Sequence, residues 1–223
     1  MVVTDHAEDF PPGKVKELID HCKEISEEDF WVIPGLEFII DKEREVHLLV
    51  VGLEGLPLQN GTDEILGMIG GEESNAFAVL AHPSRSKHYV PPEYEKKIHG
   101  IEVWNSAYDT RYLPDHKAIR LFAYLKQKNP RLVVFGGLDL HDRSGFRGLR
   151  ILMTDECQTT LELLNHLKHG KFVIRGSYMD MTSMPAYGPI GMTILALGRH
   201  ALNIMDFLMQ RSAFLRKLRG KKS

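Results

Sequence analysis

The chain has 223 residues, 43% of them apolar, with 28 Lys and Arg set against 30 Asp and Glu for a formal net charge of -2. That length suits one large domain or two small ones with a real core, and the balanced charge gives no bulk attraction to nucleic acid. Cys22 and Cys157 are the only cysteines. This argues against a disulfide framework or a Cys-rich zinc site, and suits a reducing, cytoplasmic setting. No apolar run reaches the roughly 18 residues of a membrane span, and the first residues lack the regions of a signal peptide. Eleven histidines point instead towards metal chemistry.

In chain order, Met1–Val3 reads as the tail of a buried strand, followed at once by Thr4, Asp5 and His6. Val15, Leu18, Ile19 and Cys22 fall at helical spacing within Lys14–Lys23. Trp31–Asp41 reads as a strand bent in its middle by Pro34-Gly35. Glu37 is anomalous there, a carboxylate among Ile33, Leu36, Phe38, Ile39 and Ile40; it either faces water on an edge strand or binds something positive. Glu45–Gly52 is a second strand, joined to the first as a hairpin, with His47 expected to be partly exposed.

A short helix is predicted over Thr62–Gly70, opened by Thr62-Asp63. Ala76–Pro83 is a buried strand that puts His82 at its C-terminal mouth, because proline ends the ladder. Ser84–Pro92, with Arg85, Lys87 and His88, reads as an exposed loop. Ile101–Asn105 is a further strand and Leu113–Lys128 a helix with an Ile119, Leu121, Phe122, Leu125 stripe.

Arg131–Asp142 then runs as a buried strand, Leu132–Phe135, that breaks at Gly136-Gly137. Asp139 and His141 leave the same face if the backbone stays extended. Gly148–Met153 and Lys171–Ile174 are strand candidates on either side of a helix over Thr159–His169. Beyond Tyr178 the texture changes, and Ile190–Leu218 reads as a long apolar helix with a basic end, suited to packing on the body or to self-association. The alternation implies an α/β fold with a mostly parallel sheet, divided into 1–177 and a helical extension, 178–223.

T-D-H at 4–6, P-G-L-E at 34–37, A-H-P at 81–83 and G-L-D-L-H at 137–141 each fall at or just past a strand's C-terminal end. On the rim of a β/α barrel these ends converge, which would gather His6, Glu37, His82, Asp139 and His141. Three imidazoles and two carboxylates make a nitrogen/oxygen site for zinc, manganese or iron.

These motifs, over Met1 to about Ser177, resemble the polymerase-and-histidinol-phosphatase (PHP) superfamily of metal-dependent phosphoesterases. The resemblance implies a distorted (β/α)7 barrel and metal ligands at His6, Glu37 (bridging), His82, Asp139 and His141. Where family members often carry a further ligand, this chain has N-S-A-Y-D-T-R, with Asn105 or Asp109 at that place. The family's opening H-x-H strand has no counterpart from Met1 onward. The barrel is therefore expected to be incomplete at its N-terminus and to hold two ions, fewer than the family's three. Its open edge would be covered by the C-terminal helix or a second copy of the chain.

The expected activity is hydrolysis of a phosphate ester, from a small phosphorylated substrate or nucleotide, by metal-activated water. Asp5 would support a ligand or accept a proton. Arg85, His88, Asn105, Arg111 and Arg143 are candidate phosphate contacts. The alternative is a catalytically weak, metal-binding scaffold that acts through self-association or partner binding.

Overall fold

The structure, a computed structural model, describes residues 1–52, 65, 67, 69, 76–109, 112–141 and 148–219. Strands β1 (Val2–His6), β2 (Ile33–Asp41), β3 (Val46–Val51), β4 (Phe77–Leu80), β5 (Gly100–Asn105) and β6 (Val133–Gly137) form one sheet in sequential order. Strands β7 (Arg150–Met153), β8 (Phe172–Arg175) and β9 (Asp180–Thr182) form a second, antiparallel sheet. Helices α1 (Pro12–Glu24), α2 (His116–Lys128), α3 (Thr160–Lys168) and α4 (Pro189–Arg219) complete a mixed α/β fold.

Parallel pairing holds for β1–β2, β4–β5 and β5–β6, where the chain has room to cross over before the next strand. The β2–β3 pair is the expected antiparallel hairpin, because the link through Lys42–Glu45 is too short for a crossover. β3–β4 is antiparallel as well. A closed ring of seven strands, the finer form of the expected fold, is therefore not seen among the described residues. Six strands make an open mixed sheet, and the last three pair with one another. β9 lies past residue 177 yet pairs with β8, and Ser183 O accepts from Val134 N at 2.8 Å, tying the two sheets together.

Strand β4 is buried along its whole length, as a continuous apolar run covered on both faces should be, and β5 is buried throughout although it carries Glu102 and Asn105. Among the described residues Trp104, Tyr94 and Phe172 are the largest fully buried side chains. Pro12 starts α1 at its first turn, where a missing N–H costs nothing. Asp115 caps α2 by accepting from Lys117 N, and Thr159 caps α3 by accepting from Glu162 N. On α4, Met192 and Leu195 enter the core while Ile190, Ile194 and Leu197 stay exposed.

Several expectations are corrected. β1 is an edge strand with Val2 exposed, not a buried one, because among the described residues it has a neighbour on one side alone. Pro34-Gly35 does not bend β2: the pairing with β1 runs unbroken from Ile33 to Glu37. Gly35 is there for close approach, since a Cβ would lie 2.8 Å from Val50 O. The segment after β4 is not simply an exposed loop, for Ser86 and Val90 are buried. The helix over Thr62–Gly70 lies outside the described residues except at Ile65, Gly67 and Ile69, which are helical, with both isoleucines in the core.

Candidate metal centre

The register of the main sheet assembles the centre. His6 at the end of β1 pairs with Glu37 on β2. On the other side of β2, Ile39 pairs with His47, so Glu37 and His47 are diagonal neighbours on one face of the hairpin. His82 follows β4 and takes a positive φ of 25°, a backbone state uncommon outside glycine and often kept for function.

The Glu37 carboxylate accepts from both imidazoles. Its Oε1 takes a hydrogen bond from His47 Nδ1 and another from His82 Nε2 at 3.1 Å. One donor atom from each residue lies within 4.8 Å of the other two. His47 and His82 are 4% and 3% exposed, and the Glu37 side chain 12%. Burial pushes the Glu37 carboxyl up, but the hydrogen bonds from His47 and His82 and their charge outweigh it and hold the group well below the usual carboxylate range. Burial alone would lower His82. Its bond to Glu37 and the charges of Glu102, Glu37 and Asp139 raise it instead.

His47 is therefore not the partly exposed strand residue that its position suggested. Its buried place comes from the hairpin register. The available signal was the one that marked Glu37, a titratable group inside an otherwise apolar strand. Glu102 is a second carboxylate that sequence reasoning passed over. It is buried in the middle of β5, and its Oε2 accepts from His82 N at 2.7 Å and from Asn105 Nδ2 at 3.0 Å. Gly137 makes room for it: a Cβ there would lie 1.7 Å from Glu102 Oε1. Burial raises the Glu102 pKa, and the bonds from Asn105 and His82 offset this only in part.

Asp139 and His141 do not continue the strand. β6 ends at Gly137 and Asp139 has φ 48°, so the extended geometry expected for the pair is absent. They still meet, with His141 Nε2 3.2 Å from Asp139 Oδ1. The His141 ring stacks on that of His6, centroids 6.1 Å apart. Asp5 is exposed and accepts from His6 N at 2.9 Å.

The remaining candidates are spoken for differently. Arg85 donates to Glu45 at 3.1 Å and to the Tyr108 hydroxyl at 3.2 Å. His88 Nε2 donates to Asp115 Oδ2 at 2.6 Å. Asn105 is 1% exposed, and both ends of its amide are used internally, by Glu102 and by the backbone N–H groups of Ala107 and Tyr108. Arg111 and Arg143 lie outside the described residues.

The donor set fits a divalent cation. His82 Nδ1 is buried with no hydrogen-bond partner among the described residues, and an anionic oxygen stands between two imidazoles. The fold and the centre together define a mixed α/β protein whose buried Glu–His–His cluster supports divalent-metal binding. Among the described residues no helix is long and apolar enough to cross a membrane.

No protein-family model matches the chain, and no curated protein matches it. Several solved structures share its fold, among them two similar over most of this chain. One is a two-domain protein from Bacteroides vulgatus ATCC 8482 containing a predicted PHP-like metal-dependent phosphoesterase, at 18% identity and TM-score 0.52 over 78% of this chain and 55% of that one. The chain thus spans little more than half of that protein's length. The other is PsfC from Pseudomonas syringae PB-5123, at 16% identity and TM-score 0.51 over 90% of this chain and 83% of that one. At such identities the likeness is one of fold.

Proposed function

We propose that the chain is a metal-dependent phosphoesterase of the PHP type, its six-stranded sheet forming part of a distorted barrel. The observation that carries this reading is the Glu37 carboxylate held between His47 and His82 at 12% exposure, beside a strand-end Asp139 that acts on the charge of His82. In this reading His6, Glu37, His82, Asp139 and His141, with His47 added, hold two ions of zinc, manganese or iron. Bound divalent ions would lower the pKa of water and offset charge developing on a phosphoryl oxygen.

The chain's own residues do the rest. Glu102 and Asn105 fix the His82 backbone. Asp5 holds the backbone N–H of His6, and so its direction. Arg85, oriented by Glu45 and Tyr108, presents a guanidinium for a phosphate. The substrate class is a small phosphorylated molecule or nucleotide, and the setting cytoplasmic. Residues 1–177 carry the chemistry and 178–223 the extension.

The test is hydrolysis of an aryl phosphate with manganese, zinc or iron, together with the metal content of the purified chain. Turnover that is lost in the H82A/D139A double variant, with folding retained, supports the reading; unchanged turnover in that variant overturns it. A second reading, a weak or inactive scaffold acting through self-association, draws on the exposed Ile190, Ile194 and Leu197 face of α4. A folded oligomer with at most one ion per chain and no turnover would favour it.

A further inference from the structure

A set of buried charges links the C-terminal helix to the metal centre. Arg199 on α4 is 14% exposed and places Nη2 3.3 Å from Asp109 Oδ1 and 3.9 Å from Asp115 Oδ1. Its Nη1 donates to Leu113 O at 3.4 Å. The two aspartates are 4% and 5% exposed. Buried carboxylates this close need a shared cation, and Arg199 supplies it. Gly198 permits the approach, since a Cβ there would lie 3.0 Å from Leu113 Cδ1.

From this hub, bonds run in two directions. Asp115 caps α2 and accepts from His88. Asp109 Oδ2 accepts from Asn105 N at 2.8 Å, and Asp109 N donates to Asn105 O at the same distance, which closes a tight turn. That turn aims the Asn105 amide at Glu102 Oε2, the oxygen that also holds His82 N. Tyr108, inside the turn, packs its ring 4.9 Å from that of His82.

We infer that Arg199 is a positioning residue of the metal centre, acting through Asp109, Asn105 and Glu102 to fix His82, so that the C-terminal helix is part of the site. The inference rests on the proposed reading of the Glu37 cluster as a metal site. Removing the guanidinium leaves buried Asp109 without its cation, and the turn that orients Asn105 must rearrange to hydrate it. Loss of support behind a metal-binding histidine weakens affinity by about tenfold or more.

The experiment is titration of the full chain with Co(II), reading both the dissociation constant and the visible ligand-field spectrum. R199M, R199K and the R199M/D109N pair are compared below their melting temperatures. A merely structural arginine would lower the melting temperature and leave the Co(II) constant and spectrum of the folded chain unchanged. The expected result is about tenfold weaker binding and an altered spectrum in R199M, with partial recovery in R199K, which restores a charge, and in R199M/D109N, which removes one and keeps an acceptor for Asn105 N. Wild-type affinity and spectrum in folded R199M overturn the inference and leave the metal reading standing. If R199M does not fold, R199Q, which keeps a polar side chain and removes the charge, carries the test, and wild-type affinity and spectrum in folded R199Q overturn the inference. No Co(II) binding by the wild-type chain overturns the metal reading and the inference with it.

Discussion

His82 Nε2 lies 3.1 Å from Glu37 Oε1, across 45 positions of sequence. The contact depends on two consecutive sheet registers, β2 on β3 and β3 on β4, and on the path of the first residues past β4. A shift of one residue in any strand would turn its side chain to the opposite face.

Replacing Glu37 by Gln keeps an acceptor oxygen and removes the charge. Divalent-metal affinity, read by calorimetric titration with manganese or zinc, is expected to fall by about 100-fold, at or beyond the range typical of outer-layer losses. The metal-free variant loses the charge assistance on two histidine bonds and should unfold about 2 kcal/mol more easily in urea. An unchanged metal constant would remove Glu37 from the centre.

Gly137→Ala tests the space that Glu102 occupies. The new methyl would overlap the Glu102 carboxylate, which must then leave its bonds to His82 N and Asn105 Nδ2. Stability should drop by about 2 kcal/mol, as overpacking a tight site does. Metal affinity should fall with it, whereas Gly13→Ala, where a Cβ meets nothing within 4 Å, should leave metal affinity as it was. Chemical denaturation and metal titration of the pair decide the point.

Asp115 serves His88, Lys117 N and Arg199 together. Asp115→Ala removes the helix cap, the acceptor of His88 and one of the two carboxylates beside Arg199, so a loss of about 3 kcal/mol is expected. Asp115→Asn keeps the cap and should lose less. Equal losses in the two variants, measured by urea midpoints, would show that the charge alone matters and the cap does not.

The pH dependence of stability has a specific source in His99. Its Nδ1 accepts from Ala78 N at 3.1 Å, so the ring must be neutral there. Burial, then the Lys168 charge, lowers its pKa from 6.5 to about 4. The unfolded chain binds a proton near pH 6.5 that the folded chain refuses until about 4. Stability contributed by neutral His99 is therefore complete above pH 6.5 and falls as pH drops through that window, by up to about 3 kcal/mol. His99→Asn, which offers an uncharged acceptor in a similar place, should flatten the decline. A wild-type slope retained in that variant would assign the effect elsewhere.

Local features of the chain determined much of this protein. The alternation of apolar strands and amphipathic helices, the hairpin through Lys42–Glu45, and the ligand-type residues just past strands, His82, Asp139 and His141, follow from residue type and spacing, which act over a few positions; Glu37, expected at a strand end, lies instead in the middle of β2. Tertiary structure decided the rest. His47 joins Glu37 because of the register of β2 on β3, and no short window of sequence encodes which residues face one another across a hairpin. Glu102 became a support for His82 because Gly137, on the neighbouring strand, has no side chain. Val2 became exposed because β1 ended at an edge. Arg199 reached Asp109 and Asp115 because α4 packs Met192 and Leu195 into the core, and long-range packing of that kind sets which buried charges meet.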